Sequence, residues 1–151
     1  MSEADPKPMP LARDQRAIYP SLKGKRVLIT GGGSGIGAGM VEGFVRQGAQ
    51  VTFFDIAEQD SVTLVESLAG ADVAPVFKRC DLTDIAAVQS MIAALIDEHG
   101  AFDILINNAA NDDRHTIEQV TPEYWDNRIA VNLRHLFFVA QSVIPGMKAK
   151  G

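Results

Sequence analysis

A chain of 151 residues, 46% hydrophobic and 22% charged, can bury a core and has the composition of a globular protein rather than a disordered one. A formal net charge of −5 with no basic cluster argues against nucleic-acid binding, and no apolar run reaches signal-peptide or membrane-spanning length. The single cysteine, Cys80, excludes an internal disulfide, and no cysteine–histidine spacing suggests a metal site. These features lead us to expect a cytoplasmic protein with no membrane association.

In chain order, residues 1–20 carry Pro6, Pro8, Pro10 and Pro20 among charges and read as a mobile tail, with Ile18 and Tyr19 docking locally. From Lys25 strands and helices alternate. Arg26–Thr30 is an apolar run suited to a buried strand. A helix follows over Gly35–Gln47, with Gly48 at its C′ position. Gly35, Gly39 and Gly43 form a stripe on that helix, which predicts close approach of a strand or a ligand. A second strand is expected at Gln50–Asp55 and a second helix at Glu58–Ala69. Val73–Arg79 makes a third strand, placed at a sheet edge by Pro75.

Thr83 is expected to cap a helix over Asp84–His99 that ends at Gly100, where His99 can meet the last carbonyls. Asp103–Asn107 is the fourth strand, followed by a polar loop at Asn111–Gln119. Thr121-Pro122-Glu123 then starts a long helix, with a cap, a proline at the first helical position and an acid suited to the dipole. Its apolar row runs through Trp125, Ile129, Leu133, Leu136, Ala140 and Val143 and is assigned mostly to the core, with His135 at the surface or an interface and Pro145 at the end. Repeated βα units of this length predict an α/β fold, a doubly wound parallel sheet of about four strands with flanking helices.

The chemistry starts at Thr30-Gly31-Gly32-Gly33-Ser34-Gly35-Ile36-Gly37, between the first strand and the first helix. Glycines there permit a sharp turn and leave no β-carbon in a ligand's way, and the helix start offers free N–H groups to a phosphate. Asp55 follows about 20 residues on, where an acid accepts hydrogen bonds from an adenosine ribose. A 2′-phosphate beside it meets a like charge worth on the order of 4 kcal/mol at an effective dielectric near 20, roughly a thousandfold in affinity. NAD is therefore expected over NADP, which makes 21–151 an NAD-binding Rossmann domain.

That glycine loop resembles the TGxxxGxG cofactor loop of the short-chain dehydrogenases/reductases. Asn107-Asn108-Ala109-Ala110 is similar to the family's NNAG segment, although Ala110 stands where the family has glycine. Asp81-Leu82 matches its adenine-contacting pair, and Asn132 its long-helix asparagine. The resemblance implies cofactor contacts from Gly31, Gly33, Ser34, Gly35, Ile36, Gly37, Asp55, Asp81, Leu82 and Asn107. It gives Asn132 a catalytic part, in support of a proton relay, and implies a homo-oligomer, dimer or tetramer. Ala17–Lys25, Lys78–Leu82, Asn111–His115 and Val131–His135 further resemble bacterial NAD-dependent aldose 1-dehydrogenases of the D-xylose type, which oxidise a sugar at C1 to a lactone. At the carboxyl edge of the sheet Asn111, Asp113 and His115 could then bind sugar hydroxyls.

The family's serine and YxxxK pair belong to segments after the long helix, and no such segment follows here. Abstraction of a hydroxyl proton needs a positioned base. The expectation is thus an incomplete domain, from a fragment or truncated product, that binds cofactor but is inactive alone and leaves the fourth strand as an apolar edge. Activity on another alcohol or ketone, or a non-catalytic dinucleotide-binding module, are the alternatives. A Rossmann-type methyltransferase is disfavoured by the glycine spacing and by Asn107–Ala110.

Overall fold

The computed structural model describes residues 17–151, so the expected tail lies outside the described residues as far as residue 16. Where the chain comes into view, Gln47 holds it. The Gln47 Nε2 donates to the Ala17 carbonyl (2.9 Å), and its Oε1 accepts from the Tyr19 amide (2.7 Å).

Four parallel strands form the sheet: β1 (Arg26–Thr30), β2 (Gln50–Asp55), β3 (Val76–Arg79) and β4 (Ile104–Asn107). Their order is β3-β2-β1-β4. The chain winds outward from β1 to β3 and then returns to the other side of β1. This is half of a doubly wound Rossmann sheet, with its switch point between β1 and β4. β1 is buried at every residue because it is central and covered on both faces. Its side chains alternate between two cores. Val27 and Ile29 pack with Val41, Val45, Val51 and Phe53 under α1 (Gly35–Arg46) and α2 (Glu58–Ser67). Leu28 packs on the opposite face with Phe54, Val88, Ile92 and Val139, under α3 (Ile85–His99) and α5 (His135–Lys150).

Several expectations shift. Pro75 shortens β3 to Val76–Arg79, but the strand does lie at an edge, and α2 stops at Ser67. Asp84, not Thr83, caps α3, its side chain accepting from the Ala87 amide, while the Thr83 hydroxyl donates to Asp81 instead. His99 pairs with Glu98 at 3.4 Å rather than with helix-end carbonyls. A β-carbon on Gly35, Gly39 or Gly43 would meet nothing within 4 Å, so among the described residues no strand approaches that stripe.

The long helix forms as three parts: α4 (Pro122–Ile129), a π-helical segment over Ala130–Arg134, and α5. The wider π turn shifts the helix's register and changes which row is buried. Val143 of the expected row is buried, but it is joined there by His135 and Val139, whereas Trp125 and Leu133 are about 60% exposed. Pro145 does not end α5. Beyond it Gly146 lies so close to Ala101 that a β-carbon would come within 2.7 Å of Ala101 Cβ. Lys150 Nζ then donates to the Ala101 carbonyl (2.7 Å) and to Asp103 (3.0 Å). These tertiary contacts outweigh the hydrogen bond that one proline removes.

His135, expected at the surface or an interface, is instead fully buried within the chain, and among the described residues neither ring nitrogen has a hydrogen-bond partner. Burial holds its pKa below the usual value, against the pull of the Ala130 and Val131 carbonyls. The folded chain therefore binds a proton on this ring less readily than the unfolded chain, which protonates it near pH 6.5. This contribution to stability is complete above about pH 6.5 and is lost as the pH falls below it. In urea titrations, the wild-type midpoint should drop more between pH 7.5 and 5.5 than that of His135→Leu. Equal slopes would refute the assignment.

Candidate functional site

A cleft of about 630 Å3 opens at the carboxyl ends of the strands, over the switch point between β1 and β4. Its floor is the glycine loop, where most glycines are required by protein packed around them. Gly31 has φ +67°, and a β-carbon there would come within 2.7 Å of Ala109 Cα. On Gly32 it would strike Phe53, on Gly33 Ser61 and Asp55, and on Gly37 the Gly31 carbonyl. Gly35 differs: it has φ +53° and open space around it. Ser34 precedes α1 without a side-chain cap, and Ser34, Gly35, Ile36 and Gly37 all line the cleft. The first-turn N–H groups of α1 are thus left for a ligand at the positive end of the helix dipole. This donor set fits a pyrophosphate, since it is main chain only and no β-carbon obstructs it.

Asp55, at the end of β2, lies on the cleft wall. Its Oδ2 accepts from the Gly33 amide (2.8 Å) and its Oδ1 from the Ala57 amide (2.9 Å), which fixes the carboxylate at the rim. Asp81 and Leu82 also line the cleft. The Thr83 amide (2.9 Å) and hydroxyl (2.7 Å) both donate to Asp81 Oδ1 and hold the carboxyl below its usual pKa. Cys80 lies beside them, its thiol pushed up mainly by burial.

The far wall is the loop after β4, where Asn111, Asp112 and Asp113 face the cleft. Asn132 is drawn to this loop but does not line the cleft. From the π segment, its Oδ1 accepts from the Asn111 amide (2.7 Å) and its Nδ2 donates to the Asn111 carbonyl (3.0 Å). His115 also sits away from the cleft lining, its Nδ1 2.8 Å from the Tyr124 hydroxyl. Asn107 donates to the Leu136 carbonyl (3.1 Å), tying β4 to α5 outside the cleft lining.

Sequence reasoning did not single out Asn108, although it lies inside the quoted motif. Its Nδ2 donates to the Thr30 (3.1 Å) and Gly31 (2.9 Å) carbonyls, and its amide donates to the Thr30 hydroxyl (3.0 Å). Tyr124 and Arg128 were also missed, though their spacing puts them on one face of α4. The Arg128 guanidinium lies 4.8 Å from the Tyr124 ring centroid and reaches Asp113 (3.5 Å), so α4 braces the loop from behind. The chain's one Tyr-x-x-x-Lys spacing, Tyr19 to Lys23, flanks a short turn before β1 at the opposite edge of the sheet.

The short chain dehydrogenase family model matches residues 25–151. The chain belongs to that family. It is 59% identical over 135 residues to D-xylose 1-dehydrogenase of Caulobacter vibrioides, covering 89% of this chain and 53% of that protein. It is 48% identical to the probable galactose dehydrogenase GalD of Rhizobium meliloti, covering 88% and 52%. Among solved structures, an NADH-dependent reductase A1-R' complexed with NAD matches with a TM-score of 0.76 and 32% identity, over 87% of this chain and 55% of that one. The chain spans about half the length of these relatives. It is thus a short-chain dehydrogenase sequence of the oxidoreductase class whose relatives include sugar dehydrogenases.

Within this short-chain dehydrogenase fold Asn108 ties the glycine loop to β4. Asn108→Ala would leave the Thr30 and Gly31 carbonyls without these partners, at about 1–3 kcal/mol. Urea denaturation should show a loss of that size, with faster hydrogen exchange at residues 31–37. An unchanged midpoint would refute the role.

Proposed function

We propose that this chain is the cofactor-binding part of an NAD-dependent dehydrogenase that oxidises an aldose at C1 to a lactone, and that these 151 residues alone bind NAD without turnover. The observation that carries the reading is Asp55, fixed at the rim by the Gly33 and Ala57 amides beside an uncapped helix start. A carboxylate held in that way accepts ribose hydroxyls and cannot swing aside for a 2′-phosphate. Gly31, Ser34, Gly35, Ile36 and Gly37 would hold the pyrophosphate and Asp81 and Leu82 the adenine side, while Gly33 acts by holding Asp55 and Asn107 by tying β4 to α5 beside the nicotinamide end. When bound, NAD supplies the hydride acceptor.

The aldose rests on Asn111, Asp112 and Asp113, which give the far wall several acceptors for sugar hydroxyls. The identity to sugar dehydrogenases supports the same substrate class. Asn132 acts by holding the Asn111 backbone, and His115 by bonding to Tyr124 rather than by touching the sugar. A homo-oligomer is supported by an exposed apolar row along the helix: Trp125, Ile129, Leu133, Phe137 and Ile144. The setting we infer is cytoplasmic; among the described residues no helix is long and apolar enough to cross a membrane.

Calorimetric titration of the chain should give tighter binding of NAD than of NADP, by about a hundredfold or more. Equal or tighter NADP binding would sink the assignment. With NAD and a panel of D-xylose, D-galactose and simple alcohols, no absorbance should grow at the reduced-nicotinamide band. Turnover would overturn the binding-only reading, and the alcohol oxidised would decide between an aldose and another substrate.

A further inference from the structure

The donors around Asp55 form a small anion hole. Gly33 N–H and Ala57 N–H both point at the carboxylate, and Ala57 precedes α2, whose start has no side-chain cap. Arg79 of β3 stands in register with Asp55 of β2. Along these strands Phe53 and Phe77 are in register and pack in the core under α1 and α2. Two residues further on, Asp55 and Arg79 leave the sheet on that same face. Arg79 Nε lies 3.6 Å from Glu58 Oε2, and Glu58 is the first residue of α2. Two backbone amides and a guanidinium thus lie near one helix start: Asp55 engages the amides, while Glu58 and, through space, Asp81 engage the guanidinium.

We propose that Glu58 and Arg79 form a cofactor-selecting pair, in which Arg79 is a latent ligand for the 2′-phosphate of NADP that Glu58 keeps engaged. The proposal rests on the dinucleotide reading above and extends it. Asp55 fills the amide hole and repels a phosphate, and Glu58 withholds the cation that would attract one. Removing Asp55 alone frees the Gly33 and Ala57 amides but leaves Arg79 paired. Removing Glu58 as well leaves two free amides and a guanidinium faced only through space by Asp81, a donor set that suits a phosphate. Arg79 and Glu58 are both about two-thirds exposed, so exchanging them should not disturb the core.

The test is calorimetric titration with NAD and with NADP of the wild-type chain and of Asp55→Ser, Asp55→Ser/Glu58→Gln and Asp55→Ser/Glu58→Gln/Arg79→Gln. Asp55→Asn takes the place of Asp55→Ser if the serine variant fails to fold. The first change should raise affinity for NADP relative to NAD by about tenfold or more. Adding Glu58→Gln should raise NADP affinity roughly threefold further, and the gain should shrink in high salt. Adding Arg79→Gln should then weaken NADP about tenfold and leave NAD unchanged. NADP binding that is indifferent to Arg79→Gln in the doubly substituted chain, or that gains nothing from Glu58→Gln, would overturn the proposal while NAD binding stands. If neither nucleotide binds the wild-type chain or any variant, the dinucleotide reading falls and the proposal with it.

Discussion

The end of β1 is held to the end of β4 by side chains rather than by the sheet ladder alone. The Thr30 hydroxyl accepts from the Asn108 and Ala109 amides, and the Asn108 amide group donates to the Thr30 and Gly31 carbonyls. Thr30 is fully buried, so these bonds form away from water, where each matters more and where a missing partner costs more. The lock presses Ala109 against Gly31, and Gly31 in turn presses its carbonyl against Gly37. One threonine and one asparagine thus set the height of the glycine loop over the sheet, and with it the position of the first turn of α1.

The charge around the cleft follows from that placement. Asp55 and Asp81 sit on the β2–β3 side, and Asp112 and Asp113 on the β4 side. A chain with a net charge of −5 that offers four carboxylates to a dianionic pyrophosphate would repel it if charge alone decided. The uncapped start of α1 lies between the two acidic flanks, so a pyrophosphate placed there would meet aligned amides while the hydroxyl-bearing parts on either side would meet acceptors. The separation depends on geometry. A carboxylate free to swing would spoil it, and the bonds from Gly33, Ala57 and Thr83 prevent that motion at Asp55 and Asp81.

What could be read from the sequence was whatever depends on neighbours along the chain. The strand–glycine–helix order, Asp55 at the end of β2 and the Thr121-Pro122 helix start all carry local signals, and each forms as expected. Pro75 likewise marked β3 as an edge. The misses share a different cause. Gly39 and Gly43 share a helical stripe with Gly35, but helical spacing marks a face without saying what covers it, and among the described residues no strand does. Pro145 is a local stop signal overridden by Ala101 and Lys150, which no pattern links. Tyr124 and Arg128 brace loop residues that lie nine and fifteen positions earlier, a relation that helical spacing suggests only once the partner is known.

The π segment carries the largest of these long-range effects. An ideal helix through Trp125, Ile129 and Leu133 would turn that row toward the sheet by Leu136, as its spacing implies. Widening the turn over Ala130–Arg134 brings His135, Val139 and Val143 inward and leaves the aromatic and leucine row outside. The same segment holds Asn132, whose amide pairs with both backbone groups of Asn111 in a loop 21 residues away. A polar residue inside a helix competes with the ladder around it, and a π turn relaxes that ladder. In one step the helix gains a side chain that fixes the far wall of the cleft and a solvent-facing apolar surface. Burying His135 without a partner is the local cost of the register that produces both.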